Sequence, residues 1–442
     1  MSTLKKTALV LGDIATLYIA LIITLIIRYQ SFFYFQLIEN HVEPFTLVFA
    51  IWIIVFYIAG LYDFKSLKNN FDFEKNFWYT LIFNGTVTAL FFYAIPYFLI
   101  TPKTNLFIFI FIFGLLNYGW RKLYNVGLIK AGSEHNLLIV GSNKTAQDIV
   151  EHLTANPQFG YHIKFWMKDG LQDKEFEDFA QIIIANNITT IIIPAHLKKD
   201  TLSAKLIYKS LGLGIEVMDL SQLHEIVFHS VPLAELEEVW FLEHLVNRHR
   251  IYEQLNKPIE WIFALALVIG LSPLAALIAL FIKTTSKGSV IFKQERIGKG
   301  GKPFIIYKFR TMYNDAEKDG PQWAHYDDER STKVGSLLRR MHIDELPQLI
   351  NILKGELSFV GPRPERPSFV KKLRKELPFY DLRHLTKPGI TGWAQINYRY
   401  AASSLDAYRK LQYDIYYMKN NSPTLDLRIM LKTIKFLISN HV

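Results

Sequence analysis

Hydrophobic positions crowd one end of this chain. Four apolar segments, at residues 7–27, 44–61, 78–100 and 105–120, fill its first third. Each is close to the roughly 17–25 residues that cross a bilayer as a helix, so the pattern predicts four transmembrane helices within residues 1–125. The loops at 28–43 and 101–104 carry one cation each, whereas Lys5, Lys6, Lys65, Lys68, Lys75, Arg121, Lys122 and Lys130 fall on the opposite side. Positive charge marks the cytoplasmic side, which places both the N-terminus and everything after Trp120 in the cytoplasm. The first segment lacks a small-residue cleavage site and reads as a retained anchor.

From residue 136 to about 220 the pattern changes to strand–helix alternation. Runs at 136–140, 190–194 and 214–220 read as buried parallel strands, and Gly141-Ser142-Asn143 opens an amphipathic stretch ending near Leu153. The expectation is a small Rossmann-like α/β domain over residues 133–225. Gly141 is followed by Ser-Asn-Lys-Thr, so the later glycines of a dinucleotide fingerprint are missing. A structural or regulatory role is therefore expected of this domain. Around the connector at 226–256, His224, His229, His244 and His249 fit no zinc spacing and read as ordinary surface or core histidines.

A fifth apolar segment, 259–282, is interrupted near its middle by Ser272 and Pro273. Proline removes a helical hydrogen bond and favours a kink. Cations flank both ends, with Arg248, Arg250 and Lys257 before and Lys283, Lys287, Lys293 and Arg296 after. A straight span would put one cluster on the wrong side. A re-entrant membrane helix, bent at Ser272-Pro273 and returning to the cytoplasmic face, satisfies both.

The 442 residues allow two or three domains, and the net charge of +10 suits nucleic acid, anionic lipid or phosphorylated substrates. The membrane segments favour the last two, and no nucleic-acid partner is expected. Absence of cysteine excludes disulfides, thiolate catalysis and cysteine-bound zinc.

Candidate chemistry lies beyond residue 257. Asp344 and Glu345 stand between Arg339-Arg340 and Gly361-Pro362-Arg363-Pro364. Pro347 is tolerated only in a first helical turn, which puts both carboxylates at the start of a helix running to about residue 354, with Gly355 as C-cap. Backbone N–H groups gather there, suiting carboxylates and phosphates alike. A lone Asp-Glu would read as an acidic cap beside a surface ion pair. The arginines on either side favour an ionised carboxylate able to act as a nucleophile or metal ligand. Residues 289–297 and 303–312 predict a hairpin whose glycine-rich turn matches no Walker motif and reads as a plain turn. Lys308 and Arg310 alternate with Phe309 and so face the same way. Arg363 and Arg366, on a proline-stiffened backbone, suit a phosphate clamp, the alternative being an exposed polyproline linker. Gly389, Thr391 and Trp393 form a glycine-rich turn with an aromatic that could pack on a nucleotide base. Residues 405–438 suit helices lying on a membrane surface or amphipathic core helices.

Taken together, these ordered motifs resemble the bacterial sugar transferase family, the monotopic polyprenyl-phosphate phosphoglycosyl transferases. The likeness rests on the Ser272-Pro273 helix, Phe292-Lys293-Gln294-Glu295-Arg296-Ile297-Gly298, Lys308-Phe309-Arg310-Thr311-Met312, Asp344-Glu345-Leu346-Pro347-Gln348, Gly361-Pro362-Arg363-Pro364 and Pro388-Gly389-Ile390-Thr391-Gly392-Trp393. Four helices and a degenerate Rossmann-like domain ahead of the catalytic block at 257–442 resemble the large subclass. The resemblance implies that Asp344 is the nucleophile and that Glu345 is catalytic, with Mg²⁺ required and these two carboxylates as its candidate ligands. It implies a nucleotide diphospho-sugar donor, UDP-linked in the commonest case, and a polyprenyl (undecaprenyl) phosphate acceptor at the bacterial inner membrane. Lys308, Arg310, Arg339, Arg363 and Arg366 would then contact substrate phosphates. Homodimerisation fits the large subclass, although no residue establishes it. A membrane-anchored nucleotide-sugar dehydratase would need the missing glycine fingerprint and a Tyr-x-x-x-Lys pair. A non-catalytic scaffold of a polysaccharide assembly would leave the phosphate-ready motifs around Asp344 unexplained.

Overall fold

The computed structural model describes residues 2–29, 35–63, 67, 69–94, 103–130, 135–168, 176–245, 249–285, 288–313, 330–398 and 403–439. They form two compact units, Met1–Met218 and Asp219–Val442. Lys65, Lys68, Arg248 and Lys287, which carry part of the sequence-based topology argument, lie outside the described residues.

The first unit opens with helices α1 (Ser2–Tyr29), α2 (Phe35–Ile58), α3 (Phe71–Ala94) and α4 (Lys103–Lys130). They share a core of edge-to-face and stacked aromatics, including Phe45, Phe49, Trp52, Phe56, Phe109 and Phe113. Among the described residues, four spans are long and apolar enough to cross a membrane: Lys5–Tyr29, His41–Ile58, Asn105–Leu128 and Asn256–Thr285. Three of these fall on α1, α2 and α4. Helix α3 is not among them: it begins with Asp72, Glu74 and Lys75, and the run expected to continue to residue 100 leaves the described residues after Ala94. Arg121, read from the sequence as a cytoplasmic flanking cation, is instead buried. It pairs with Asp13, which also accepts from Tyr62 Oη and Asn117 Nδ2, both at 2.8 Å. Partnered this way, the two charges tolerate an apolar bundle that would reject either alone.

The same unit continues as β1 (His135–Val140), α5 (Lys144–Thr154), β2 (Tyr161–Met167), α6 (Phe176–Ala185), β3 (Thr190–Ile193), α7 (Ala195–Lys199), α8 (Thr201–Ser210) and β4 (Glu216–Asp219). The strands form one sheet in the order β2-β1-β3-β4, with β1 parallel to both neighbours. Fully buried runs at 137–140 and 190–193 explain why these segments read as continuous apolar strings. After β1, Gly141 adopts φ +95°, and its carbonyl accepts from Trp166 Nε1 at 2.8 Å. A Cβ on Gly141 would touch the Pro194 ring.

The second unit opens at Asp219, the last residue of β4 and the N-cap of α9 (Leu220–Phe228). Next come α10 (Glu238–Leu245), α11 (His249–Thr285), the antiparallel hairpin β5 (Ile291–Ile297) and β6 (Pro303–Phe309), and α12 (Lys333–Arg340). The chain ends with α13 (Leu349–Leu353), β7 (Ser358–Val360), α14 (Pro367–Glu376), β8 (Gly389–Thr391), α15 (Trp393–Asn397), α16 (Ser404–Asn420) and α17 (Pro423–Ser439). Strands β7 and β8 pair in parallel, and Gly361, Gly389 and Gly392 let the loops after them touch backbone to backbone. A Cβ on Gly389 would run into the Gly361 nitrogen.

Two features of this unit bear on the site. Helix α11 is continuous through Ser272 and Pro273. Pro273 cannot donate to the Ile269 carbonyl, and the Ser272 hydroxyl does so instead at 2.7 Å, so the pair loses a backbone bond and replaces it. One stripe of α11 packs inward on both sides of that point. Ala264, Leu267 and Val268 meet Ile306, Leu349, Ile352 and Leu357, whereas Ala275, Ile278 and Ile282 meet Phe309, Leu338, Ile343 and Leu346. The remaining faces leave Ile262, Ile269, Leu277 and Leu280 more than half exposed.

The second feature concerns the connector. Val231, Leu233, Phe241 and Leu245 share a core with Val360, Leu373, Trp393, Leu411, Ile415 and Ile429. Glu225 accepts from Lys419 at 2.9 Å, Val231 N donates to Gln412 O at 3.0 Å, and Trp393 Nε1 donates to His229 O at 2.8 Å. The catalytic block drawn from the sequence at 257 thus cuts through a shared core. A chain starting at residue 250 is expected to aggregate or melt far below one starting at Asp219. Each buried connector side chain contributes about 1.5–3 kcal/mol, against a whole-domain stability of about 5–15 kcal/mol. Thermal unfolding of the two truncations in detergent checks this.

Candidate active site

Asp344 and Glu345 lie in a 3₁₀ turn, Ile343–Gln348, that passes directly into α13 and ends at Gly355 with φ +76°. The expected helix is present, but its first turns are wound more tightly. Pro347 lacks the N–H that would close an α-helical bond to Ile343. His342 precedes the turn in the left-handed region, at φ +54°, and reverses the chain so that both carboxylates face inward.

The two carboxylates are nearly buried and meet different surroundings. Glu345 Oε1 accepts from Lys308 Nζ at 2.6 Å and from Arg363 Nη2 at 2.8 Å. Burial pushes its carboxyl up, but Arg363 and Lys308 more than offset this and hold it well below the usual carboxylate range. Asp344 accepts no hydrogen bond among the described residues. Burial raises it to about 6, with Glu345 adding to the rise while Lys308, Arg363 and Arg339 oppose it. One carboxylate is therefore locked in an ion triad, and its neighbour is ionised at neutral pH without hydrogen-bond donors to stabilise its lone pairs. A pair of titratable groups driven apart in this way is a mark of functional sites.

Residues that hold the cations come from three elements. Lys308 extends from β6, whose neighbour Phe309 is buried against α11. Arg310 lies beyond the strand end, buried, with its N–H donating to Val290 O at 2.9 Å. The hydrogen bonds given to Glu345 come from Lys308 and Arg363. Arg339, near the end of α12, donates to Ser331 Oγ at 2.8 Å and acts on Asp344 through its charge. Arg366 caps α14 and lies over the Phe369 ring.

Arg363 sits in a loop whose prolines have no N–H, so its carbonyls must find other donors. Two arginines not singled out as site residues supply them. Arg296 Nη1 donates to Pro364 O at 3.0 Å, and Arg383 Nη2 donates to Arg363 O at 3.0 Å while pairing with Asp414 at 2.9 Å. Burial lowers Arg296 to about 10, Glu365 opposing and Arg363 and Arg366 adding to the fall, and burial raises Asp414 to about 6 against Arg383. The signal available in the sequence was the Pro-Arg-Pro run itself, since each proline there removes a donor.

The glycine-rich turn proposed for a nucleotide base is put to structural use. Gly389 and Thr391 belong to β8, and Thr391 Oγ1 bonds Thr433 Oγ1 at 2.7 Å. Trp393 is buried, with Tyr416 stacked on one face, Arg428 over the ring and its indole N–H bonded to His229. In this structure the Trp393 side chain is taken up by packing within the unit.

Comparison with known proteins gives the family. Residues 251–440 match the family described as Bacterial sugar transferase. Over 225 residues the chain is 40% identical to the UDP-N-acetylgalactosamine-undecaprenyl-phosphate N-acetylgalactosaminephosphotransferase of Aeromonas hydrophila, covering 51% of this chain and 53% of that protein. Over 320 residues it is 31% identical to the UDP-glucose:undecaprenyl-phosphate glucose-1-phosphate transferase of Klebsiella pneumoniae, covering 68% and 67%. The chain spans about half the length of the first relative and two thirds of the second. It belongs to the bacterial sugar transferase family, a family of phosphoglycosyl transferases.

The raised Asp344 carboxyl has a consequence for stability. Its folded pKa lies above the unfolded value, so ionisation opposes folding, and the cost appears as pH rises through about 4 to 6. Asp344→Asn is expected to raise the melting temperature at pH 8 and to leave it nearly unchanged at pH 4. Melting curves of both proteins across that range check the sign.

Proposed function

We propose that this protein transfers a sugar-1-phosphate from a nucleotide diphospho-sugar to polyprenyl phosphate. The observation that carries the reading is Asp344, a buried carboxylate that accepts no hydrogen bond among the described residues, beside a glutamate already occupied by Lys308 and Arg363. A carboxylate oxygen of Asp344 attacks the phosphorus attached to the sugar. The bond from that phosphorus to the oxygen bridging the two phosphates breaks, and nucleoside monophosphate leaves with the electron pair. A phosphate oxygen of the polyprenyl carrier then attacks the same phosphorus. The bond to Asp344 breaks, the carboxylate returns, and polyprenyl-diphosphate-sugar is released. A UDP-linked donor and an undecaprenyl acceptor are the reading favoured by the names of the two relatives.

Glu345 serves here by fixing two cations next to the nucleophile. Only one guanidinium nitrogen of Arg363 is committed to Glu345, which leaves N–H groups for the oxygens of the transferring group. Arg339 adds charge from the opposite flank. Magnesium fits the oxygen donors present: among the described residues no three acidic or histidine side chains gather to cage a metal, and this ion commonly takes one or two carboxylates plus water and substrate phosphate. Asp344 would hold it together with the Glu345 oxygen that Lys308 and Arg363 do not engage, and when bound it would neutralise charge on the phosphates.

We read α11 as re-entrant, entering and leaving the cytoplasmic leaflet. Support comes from its inward stripe, which is held by the same unit before and after Pro273 while apolar faces stay exposed. Such a helix brings a water-soluble donor and a lipid acceptor to one site at the membrane surface. The N-terminal helices would then be further anchors, with the catalytic unit on the cytoplasmic side of the inner membrane.

Asp344→Asn is expected to abolish both nucleoside monophosphate release and retention of labelled phospho-sugar on the protein. Glu345→Gln should lose at least about 10²-fold in turnover through the loosened cations. Incubation of purified protein with radiolabelled donor and short polyprenyl phosphate measures both, and wild-type turnover by Asp344→Asn would sink the covalent mechanism. Single cysteines at Lys257 and Lys283, in a chain with none of its own, should both resist an impermeant thiol reagent on intact cells and both react after permeabilisation. Reaction of only one on intact cells would reject the re-entrant reading.

A further inference from the structure

Helix α11 carries a single charged residue between Lys257 and Lys283, and that residue is Glu260. A carboxylate within an apolar helix is costly unless it has partners, and it marks a place where something is held. Glu260 lies on the inward stripe, one turn before Ala264, and is buried although Ile259, Trp261 and Ile262 beside it are about half exposed or more. Its carboxylate accepts from the Ser358 hydroxyl, with the Phe359 backbone N–H as a second donor. One turn further along, Phe263 packs against the Phe359 ring with centroids 5.2 Å apart. All three contacts fall on β7.

Strand β7 leads straight to the site. Four residues separate Ser358 from Arg363, and the intervening backbone is stiffened by Pro362 and pinned by Gly361 N to Thr391 O at 2.9 Å. Arg363 then reaches Glu345 at 2.8 Å. A stiff segment held at one end by the membrane helix and at the other by the buried glutamate has little slack. Displacements of about 1 Å are enough to cost on the order of 10²-fold in rate where a charged group must meet a transferring phosphoryl.

We propose that Glu260 is a positioning residue that registers the membrane helix against the strand delivering Arg363, so that the active geometry is complete only when α11 is seated. The inference rests on the phosphoglycosyl transfer reading and on the role it gives Arg363. Ser358 is the receiving half of the device. The carboxylate is needed here for its acceptor oxygens rather than for its charge, so glutamine should serve in its place.

The test uses full-length protein in nanodiscs, with nucleoside monophosphate release as the readout. Glu260→Ala and Ser358→Ala should each lower kcat by tenfold or more, and Glu260→Gln should restore most of it. In an Arg363→Lys background the further loss from Glu260→Ala should shrink to less than threefold, because the group it positions has already been altered. An equal loss in both backgrounds would show a general structural role and overturn the proposal, as would full activity of Glu260→Ala. If Glu260→Ala does not fold, Ser358→Ala removes the same bond from a soluble strand, and full activity of that variant overturns the proposal too. Wild-type protein that releases no nucleoside monophosphate would instead defeat the transferase reading itself.

Discussion

Two adjacent carboxylates cannot both be taken out of water uncompensated, and the catalytic unit is arranged around that constraint. Glu345 is accommodated because Lys308 and Arg363 arrive from separate elements and meet on one of its oxygens. Their convergence ties β6 and the loop after β7 to the 3₁₀ turn. Removing either cation would leave a buried charge short of a partner, which costs far more than a surface pair contributes. With Glu345 satisfied, Asp344 can remain without donors. A carboxylate whose lone pairs are not engaged needs less reorganisation to form a new bond to phosphorus.

The loop that brings Arg363 shows how rigidity is obtained without regular structure. Prolines fix its backbone and remove its donors, glycines at 361, 389 and 392 let it lie against the segment around β8, and two arginines fill acceptors left open. Each device is local, yet together they place one guanidinium. Helix α11 contributes from the other direction by packing one stripe against hairpin, 3₁₀ turn and β7. The apolar helix that would hold the protein at a membrane is also part of the wall behind the chemistry.

Much of this was legible in the sequence, for reasons that differ by element. Long apolar runs and the Gly298–Lys302 turn follow from local rules, as did the strands at 136–140 and 190–193. The position of Asp344 and Glu345 followed from Pro347, since proline restricts where a helix can start. What escaped was set by tertiary partners. Arg121 resembled any flanking cation because Asp13 lies more than a hundred residues away. Trp393 looked available to a ligand because nothing nearby in sequence announces Tyr416 or His229 as its neighbours. The connector read as a link because the buried apolar side chains at 231, 233, 241 and 245 are spaced irregularly, and only the fold shows that they complete another segment's core.

The arginines behind the Pro-Arg-Pro loop alter how genetic variation in this protein should be interpreted. Arg296 and Arg383 each donate one hydrogen bond to a main-chain carbonyl of the loop, and among the described residues their side-chain partners include Gln294, Tyr380 and Asp414, not the carboxylate pair. A scan scored only by loss of product would nonetheless rank them with the proposed nucleophile, because a slack loop would silence the same proposed reaction. Inactivity at those two positions therefore says little about substrate contact. Suppressor mutations that stiffen the loop by another route would be the informative class, since they can repair a lost scaffold but never a lost nucleophile.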